Sequence, residues 1–218
     1  MATAPPAGGP ALPKPIAYNQ SYSYDAIGNL TNRSGTALQY GANLNGTGAG
    51  PHQARRIAGQ TATYDANGSL TAGNGRTIAW TTDNQPRTVT ASGTTESYTY
   101  DATGQRLTKT RNGLTTLYLE GTWEETVNTS GVTQARKRYF TFAGQTIAVR
   151  DVEANQLTYI HSDHLGTVSV TTDAARTVTS RQFFDPWGAP QSGTVGATAR
   201  AYTGQYLDAT GLLFYNAR

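Results

Sequence analysis

His161 and His164, with Asp163 between them, have the ligand types of a transition-metal site. On a strand, positions 161 and 163 share a face while 164 points away, and two histidines three apart suit a helix or a bent turn better. The expected role is structural: a bulged strand in which His and Asp bond backbone groups. Asp25, Asp65, Asp101, Asp185 and Asp208 include the carboxylates that a glycoside hydrolase would pair as acid and base. Each begins a turn, where an aspartate bonds its own backbone two residues on, and that role accounts for them. Trp80, Trp123 and Trp187 could stack on sugar rings, and cross-strand packing is the competing use of such rings. Arg136-Lys137-Arg138 is a short basic run that reads as a solvated strand or turn edge and not as a nucleic-acid site. No Ser-x-x-Lys, Gly-x-Ser-x-Gly, Walker or dinucleotide fingerprint occurs. The residues therefore point to no enzyme, no metal and no cofactor.

The elements that carry these side chains are set by a repeat. Tyr24-Asp25-Ala26-Ile27-Gly28-Asn29-Leu30-Thr31 returns as Tyr64-Asp65-Ala66-Asn67-Gly68-Ser69-Leu70-Thr71. It returns again as Tyr100-Asp101-Ala102-Thr103-Gly104-Gln105-Arg106-Leu107-Thr108. Tyr ends one strand, Asp starts a turn, Gly supplies positive φ at its tip, and Leu-Thr opens the returning strand. Each copy reads as a β-hairpin. The starts lie 40 and 36 residues apart. A weaker copy from Trp80 to Arg87 and a decayed one at Tyr40 reduce the period to roughly twenty residues, in the range of stacked repeats. Asn112-Gly113 is a strong hairpin signal of its own.

Composition agrees. The chain has 218 residues, with 24 Gly, 13 Tyr, no Cys and only 14% charged residues. Mean hydropathy is -0.50. Low charge with many Gly and Tyr fits short strands and tight turns. The net charge of +3 is spread along the chain. Without cysteine there is no disulfide framework and no thiol chemistry. The first residues have neither the basic region nor the apolar core of a signal peptide, and no stretch is long enough for a membrane span.

The sequence resembles the RHS (rearrangement hotspot) and YD-repeat family. The three Tyr-Asp copies carry the likeness. Tyr159-Ile160-His161-Ser162-Asp163-His164-Leu165-Gly166-Thr167 is similar to that family's core signature, and Phe184-Asp185-Pro186-Trp187-Gly188 to its Tyr-Asp-Pro-x-Gly element. Tyr202-Thr203-Gly204-Gln205-Tyr206-Leu207-Asp208, Thr210-Gly211-Leu212 and Tyr215-Asn216-Ala217-Arg218 are like the downstream end of the core. The resemblance implies a spiralling β-sheet that winds into a hollow shell, enclosing a toxin or presenting an adhesive surface. It also implies a continuation into a self-cleavage segment, before which this chain stops, so no autoprotease residue carries over.

The expected fold is all-β, with repeat hairpins stacked into a curved or spiralling antiparallel sheet. Residues 1–17 form a Pro, Ala and Gly-rich disordered lead-in, 18–119 the repeat hairpins, and 120–218 a core-like β region; Gly41 to Pro51 is a flexible loop. The structural motif residues are Tyr24, Asp25, Gly28, Tyr64, Asp65, Gly68, Tyr100, Asp101, Gly104, His161, Asp163, His164, Gly166, Asp185, Pro186, Gly188 and Gly211. The expected function is a non-enzymatic piece of a shell that encloses or displays a polypeptide such as a toxin. Its expected partners are the rest of that shell or another copy of the chain. The expected setting is a larger bacterial protein, secreted or at the cell surface. The alternative is a carbohydrate-binding or adhesive module, with Trp80, Trp123 and Trp187 stacking on a glycan.

Overall fold

The computed structural model describes residues 12–41 and 50–216. Residues 1–11 of the lead-in, most of the Gly41 to Pro51 loop, and Ala217 with Arg218 lie outside the described residues. The fold is all-β. Contacts divide it into two compact units, and the division falls inside one long strand. The larger unit comprises the described parts of Asn19–Arg138 and Leu207–Arg218; the smaller comprises those of Met1–Tyr18 and Tyr139–Tyr206. The point where the sequence pattern changes, at residue 120, lies within the larger unit.

The larger unit opens with a five-stranded sheet of β1 (Tyr22–Tyr24), β2 (Leu30–Arg33), β3 (Thr36–Gln39), β4 (Arg56–Ile57) and β5 (Gln60–Thr61). A ladder follows: β6 (Thr63–Tyr64), β7 (Leu70–Gly73), β8 (Arg76–Trp80), β9 (Pro86–Ala91), β10 (Thr94–Tyr100), β11 (Arg106–Arg111), β12 (Leu114–Leu119), β13 (Trp123–Val127) and the first part of β14 (Thr133–Phe142). Each strand pairs antiparallel with its sequence neighbour, so every connection is a hairpin.

The smaller unit continues in the same style with β15 (Gln145–Asp151), β16 (Gln156–Ser162), β17 (Val168–Thr172), β18 (Val178–Phe184) and β19 (Pro190–Gly193). Its core is Tyr139, Val149, Ile160, Val168 and Val195, with Ala197 against it. In the described part of the lead-in no strand forms, and the Lys14 carbonyl accepts a hydrogen bond from Ser192 Oγ at 2.7 Å. Two short strands, β20 (Tyr206–Leu207) and β21 (Leu213–Phe214), flank the last turn.

One turn recurs. At Asp25, Asp65 and Asp101 the aspartate carbonyl accepts from the glycine N–H three residues on, and its own N–H donates to the carbonyl of the residue after that glycine, all at 2.9–3.1 Å. The carboxylate adds bonds from two further backbone N–H groups: Ile27 and Asn29, Asn67 and Ser69, Thr103 and Gln105. Gly104 sits at φ 83°, where a side chain is disfavoured. This is a type I turn closed by a left-handed residue, and a bulge follows, pairing Tyr24 with Leu30, Tyr64 with Leu70 and Tyr100 with Arg106. The same backbone pattern starts at Thr81, Asn128, Asp163, Asp173, Asp185 and Asp208. Asn84 and Arg176 occupy the glycine position of the Thr81 and Asp173 turns, at φ 57° and 67°.

The aromatic residue ahead of each turn has a second task. Trp80 Nε1 donates to the Leu70 carbonyl at 2.9 Å, and Tyr100 Oη donates to the Pro86 carbonyl at 2.8 Å. In both cases the acceptor opens the strand just after the preceding turn, so each ring ties its hairpin to the one before. Tyr64 Oη donates to the Ala54 carbonyl at 2.8 Å, in the segment that leads into β4. Tyr24, in the first copy, is exposed. Threonine is used between strands, where paired hydroxyls join Thr63 to Thr71, Thr99 to Thr108 and Thr116 to Thr126.

Candidate functional site

The most unusual side chains of the larger unit meet where the Asp208 turn lies against β10 and β11. In the register of the repeats, Leu30 and Leu70 hold the place that Arg106 takes in the third copy. A leucine site therefore carries a guanidinium, while Leu107, one residue on, is exposed. Arg106 Nη1 and Nη2 donate to Asp208 Oδ1 and Oδ2 at 2.9 and 2.8 Å, with the two side chains only 4% and 2% exposed. Lys109 Nζ adds a bond to Asp208 Oδ1 at 3.1 Å and lies 3.8 Å from Glu96 Oε1. Glu96 is fully buried, accepting from the Thr210 N–H at 3.1 Å and from Tyr98 Oη at 3.3 Å.

Rings enclose this cluster. The Arg106 guanidinium carbon lies 4.4 Å from the centre of the Tyr98 ring and 4.1 Å from that of Phe214. Phe214 also meets Tyr100 at 5.9 Å between ring centres. Burial works to lower the Arg106 pKa, but the hydrogen bonds and negative charge of Asp208 outweigh it and hold the group above the ordinary arginine value. Burial pushes the phenols of Tyr98 and Tyr118 well above their usual range, and that of Tyr100 up to about 12.

Beside the cluster is a pocket of about 390 Å³. Leu70, Ile78, Trp80, Val89, Leu213 and Phe214 supply much of its wall, and Arg106 and Asp208 border it.

Asp208 requires a correction. Its backbone makes the recurrent turn, but its carboxylate is turned away from that turn toward Arg106 and Lys109. Turn bonding does not account for it, because a buried guanidinium competes more strongly for a carboxylate than backbone amides do. Asp163 and Asp185 do cap their own turns, through Leu165 and Thr167 and through Trp187 and Ala189. The end of β16 is thus bulged at His161 and Ser162, and the chain runs on through Asp163 into a hairpin turn with Gly166 at φ 84°. Local turn bonding from Asp163 is the reason. His161 contacts Thr172 Oγ1 at 3.0 Å and His164 is exposed. No group of three or more ligating side chains among the described residues could hold a metal ion.

The three tryptophans are not gathered into one site. Trp80 borders the pocket, Trp123 is half-buried on β13, and Trp187 is 53% exposed in the Asp185 turn of the smaller unit. Pro186 offers its carbonyl to Tyr202 Oη at 2.7 Å, beside buried Gly188. Gly211 closes the Asp208 turn at φ 78°. Sequence reasoning passed over Arg106, Glu96 and Lys109. One signal was available for Arg106: the third repeat has an additional residue between glycine and leucine.

No protein-family model matches the chain. It is similar to the tRNA3(Ser)-specific nuclease WapA of Bacillus spizizenii, with 25% identity over 210 residues, 90% of this chain and 9% of that protein. Among solved structures, its fold is like that of TcdB2-TccC3, with a TM-score of 0.71 and 20% identity, covering 91% of this chain and 12% of that one. The Photorhabdus luminescens Tc holotoxin pore, solved with a mutated TccC3, matches with a TM-score of 0.68 and 21% identity over 90% of this chain and 11% of that one. This chain therefore spans about a tenth of the proteins it matches.

Proposed function

We propose that the chain is a non-enzymatic structural segment of an RHS and YD-repeat shell, within a longer exported bacterial polypeptide, that encloses or displays another polypeptide such as a toxin. The observation that carries this reading is the ladder. Strands follow one another in sequence order, joined by the same aspartate turn and tied by the same aromatic clamp. Such a sheet grows hairpin by hairpin without a change of design, and its twist gives it curvature. The likeness to a holotoxin-pore structure and to a far longer nuclease supports a part in a large toxin assembly. The shell's remaining strands, or a second copy, would pair with the outermost strands of the sheets. No helix among the described residues is long and apolar enough to cross a membrane.

The test combines light-scattering mass, negative-stain imaging and amide exchange on the purified chain. A curved or hollow assembly, with edge strands that gain protection as it forms, supports the proposal. A compact monomer whose edge strands are already as protected as the central ones overturns it.

A further inference from the structure

Four asparagines precede a glycine: Asn45, Asn67, Asn74 and Asn112. In this dipeptide the glycine nitrogen can close on the asparagine Cγ, because the glycine has no side chain to shield it. Asn45 lies outside the described residues. At the other three, the structure decides how available the attacking nitrogen is.

Two of the three nitrogens are engaged. The Gly68 N–H donates to the Asp65 carbonyl at 3.0 Å, and Asn67 Nδ2 is itself held by Asn84 Oδ1 at 3.0 Å. The Gly75 N–H donates to Gln60 Oε1 at 2.9 Å, and the Asn74 carbonyl accepts from Arg76 Nη1 at 3.2 Å. Asn112 and Gly113 differ. They form the two-residue connection between β11 and β12, with Arg111 paired to Leu114 and φ at 52° and 74°. All four of these residues are exposed. Neither the Asn112 side chain nor the Gly113 N–H has a hydrogen-bond partner among the described residues. Ring closure needs Asn112 to leave its left-handed conformation. At Gly113 that rotation breaks no bond of the attacking amide, whereas at Gly68 and Gly75 it must first break one.

We propose that Asn112 is a modification site, at which the tip of this hairpin converts slowly to aspartate and isoaspartate. The Gly113 nitrogen bonds to Asn112 Cγ, the Cγ–Nδ2 bond breaks, and the Gly113 N–H proton leaves with Nδ2 as ammonia. Water then opens the cyclic imide. Opening at the former side-chain carbon gives aspartate. Opening at the main-chain carbon leaves the chain running through Cγ, one methylene longer. Either product sets a carboxylate beside the exposed Arg111. The longer one no longer fits a two-residue turn, so the tip loses its register. The site lies within the larger unit and does not depend on shell assembly.

The test incubates the full chain at mildly alkaline pH and follows each Asn-Gly pair by peptide mass mapping, with electron-transfer fragmentation to separate isoaspartate from aspartate. Asn112 is expected to convert about three- to tenfold faster than Asn67 or Asn74, the worth of one hydrogen bond on the attacking amide. In urea the three rates should converge. Gln60→Ala releases the Gly75 N–H and should raise the Asn74 rate by a similar factor. If circular dichroism shows that this variant does not fold, Gln60→Asn, whose side chain is too short to reach Gly75, is read in the same way. Conversion at Asn112 no faster than at Asn67 and Asn74 overturns the site. An unchanged Asn74 rate in a folded Gln60 variant overturns the role of the amide bond. The same rate ratios in urea overturn the structural origin and assign the difference to sequence neighbours.

Discussion

Arg106 and Asp208 stand 102 residues apart in sequence and form a two-pronged ion pair at 2.8 and 2.9 Å, almost wholly out of water. The pair holds the hairpin around Asp208 against the third repeat. Removing one partner leaves the other charged and buried. Arg106→Ala or Asp208→Ala is therefore expected to cost about 3–5 kcal/mol. A double-mutant cycle in urea measures it: the double variant should lose much less than the sum of the singles, and simple additivity would contradict the pairing.

The alkaline limb of stability should depend on the phenols around this pair. Tyr100 is held up to about 12, because burial disfavours the phenolate. The folded pKa exceeds the unfolded value of about 10. This contribution is complete below pH 10 and is lost as pH rises toward 12. Unfolding midpoints should fall across that window, and Tyr100→Phe should flatten the fall. An unchanged slope in the variant would assign the effect to other groups.

The acid limb should report the turns. Hydrogen bonds from Thr103 hold the Asp101 carboxyl below its usual value, and the backbone N–H of Asn29 does the same for Asp25. These folded pKa values are depressed, so the stabilisation is present above the ordinary carboxylate pKa and disappears as pH falls through the lower folded value. Carboxyl carbon shifts should titrate below 3.8 for both residues. Midpoints at or above that value would contradict the turn bonding.

The left-handed position of the recurrent turn can be tested in both directions. Arg176 is exposed and sits at φ 67° where most copies have glycine. Arg176→Gly is expected to stabilise the smaller unit by about 1 kcal/mol, and Gly104→Ala to destabilise the larger by a similar amount. Urea midpoints that move in the opposite directions would contradict this account of the turn.

A harsher loss is expected at Gly193, where an added Cβ would lie 2.0 Å from the Arg181 carbonyl oxygen. Backbone must move to admit it. Gly193→Ala should therefore lower the thermal midpoint more than Gly104→Ala does, and the reverse order would refute the difference in space.

The sequence by itself determined the hairpins. Tyr-Asp-Ala-x-Gly encodes its own turn, since the aspartate acceptors and the backbone amides they bind lie within four residues of each other. Local chemistry of that kind is readable one copy at a time, and a repeated local unit implies a ladder. Tertiary structure alone decided what the turns do to one another. That Trp80 and Tyr100 clamp the preceding hairpin follows from how neighbouring strands pair, as does the placing of Arg106 at a leucine position. Asp208 looked like any other turn aspartate, because nothing near it in sequence announces a guanidinium 102 residues away. The pocket depends on that same long-range closure, since the chain supplies one wall from β7 to β9 and the other from Leu213 and Phe214.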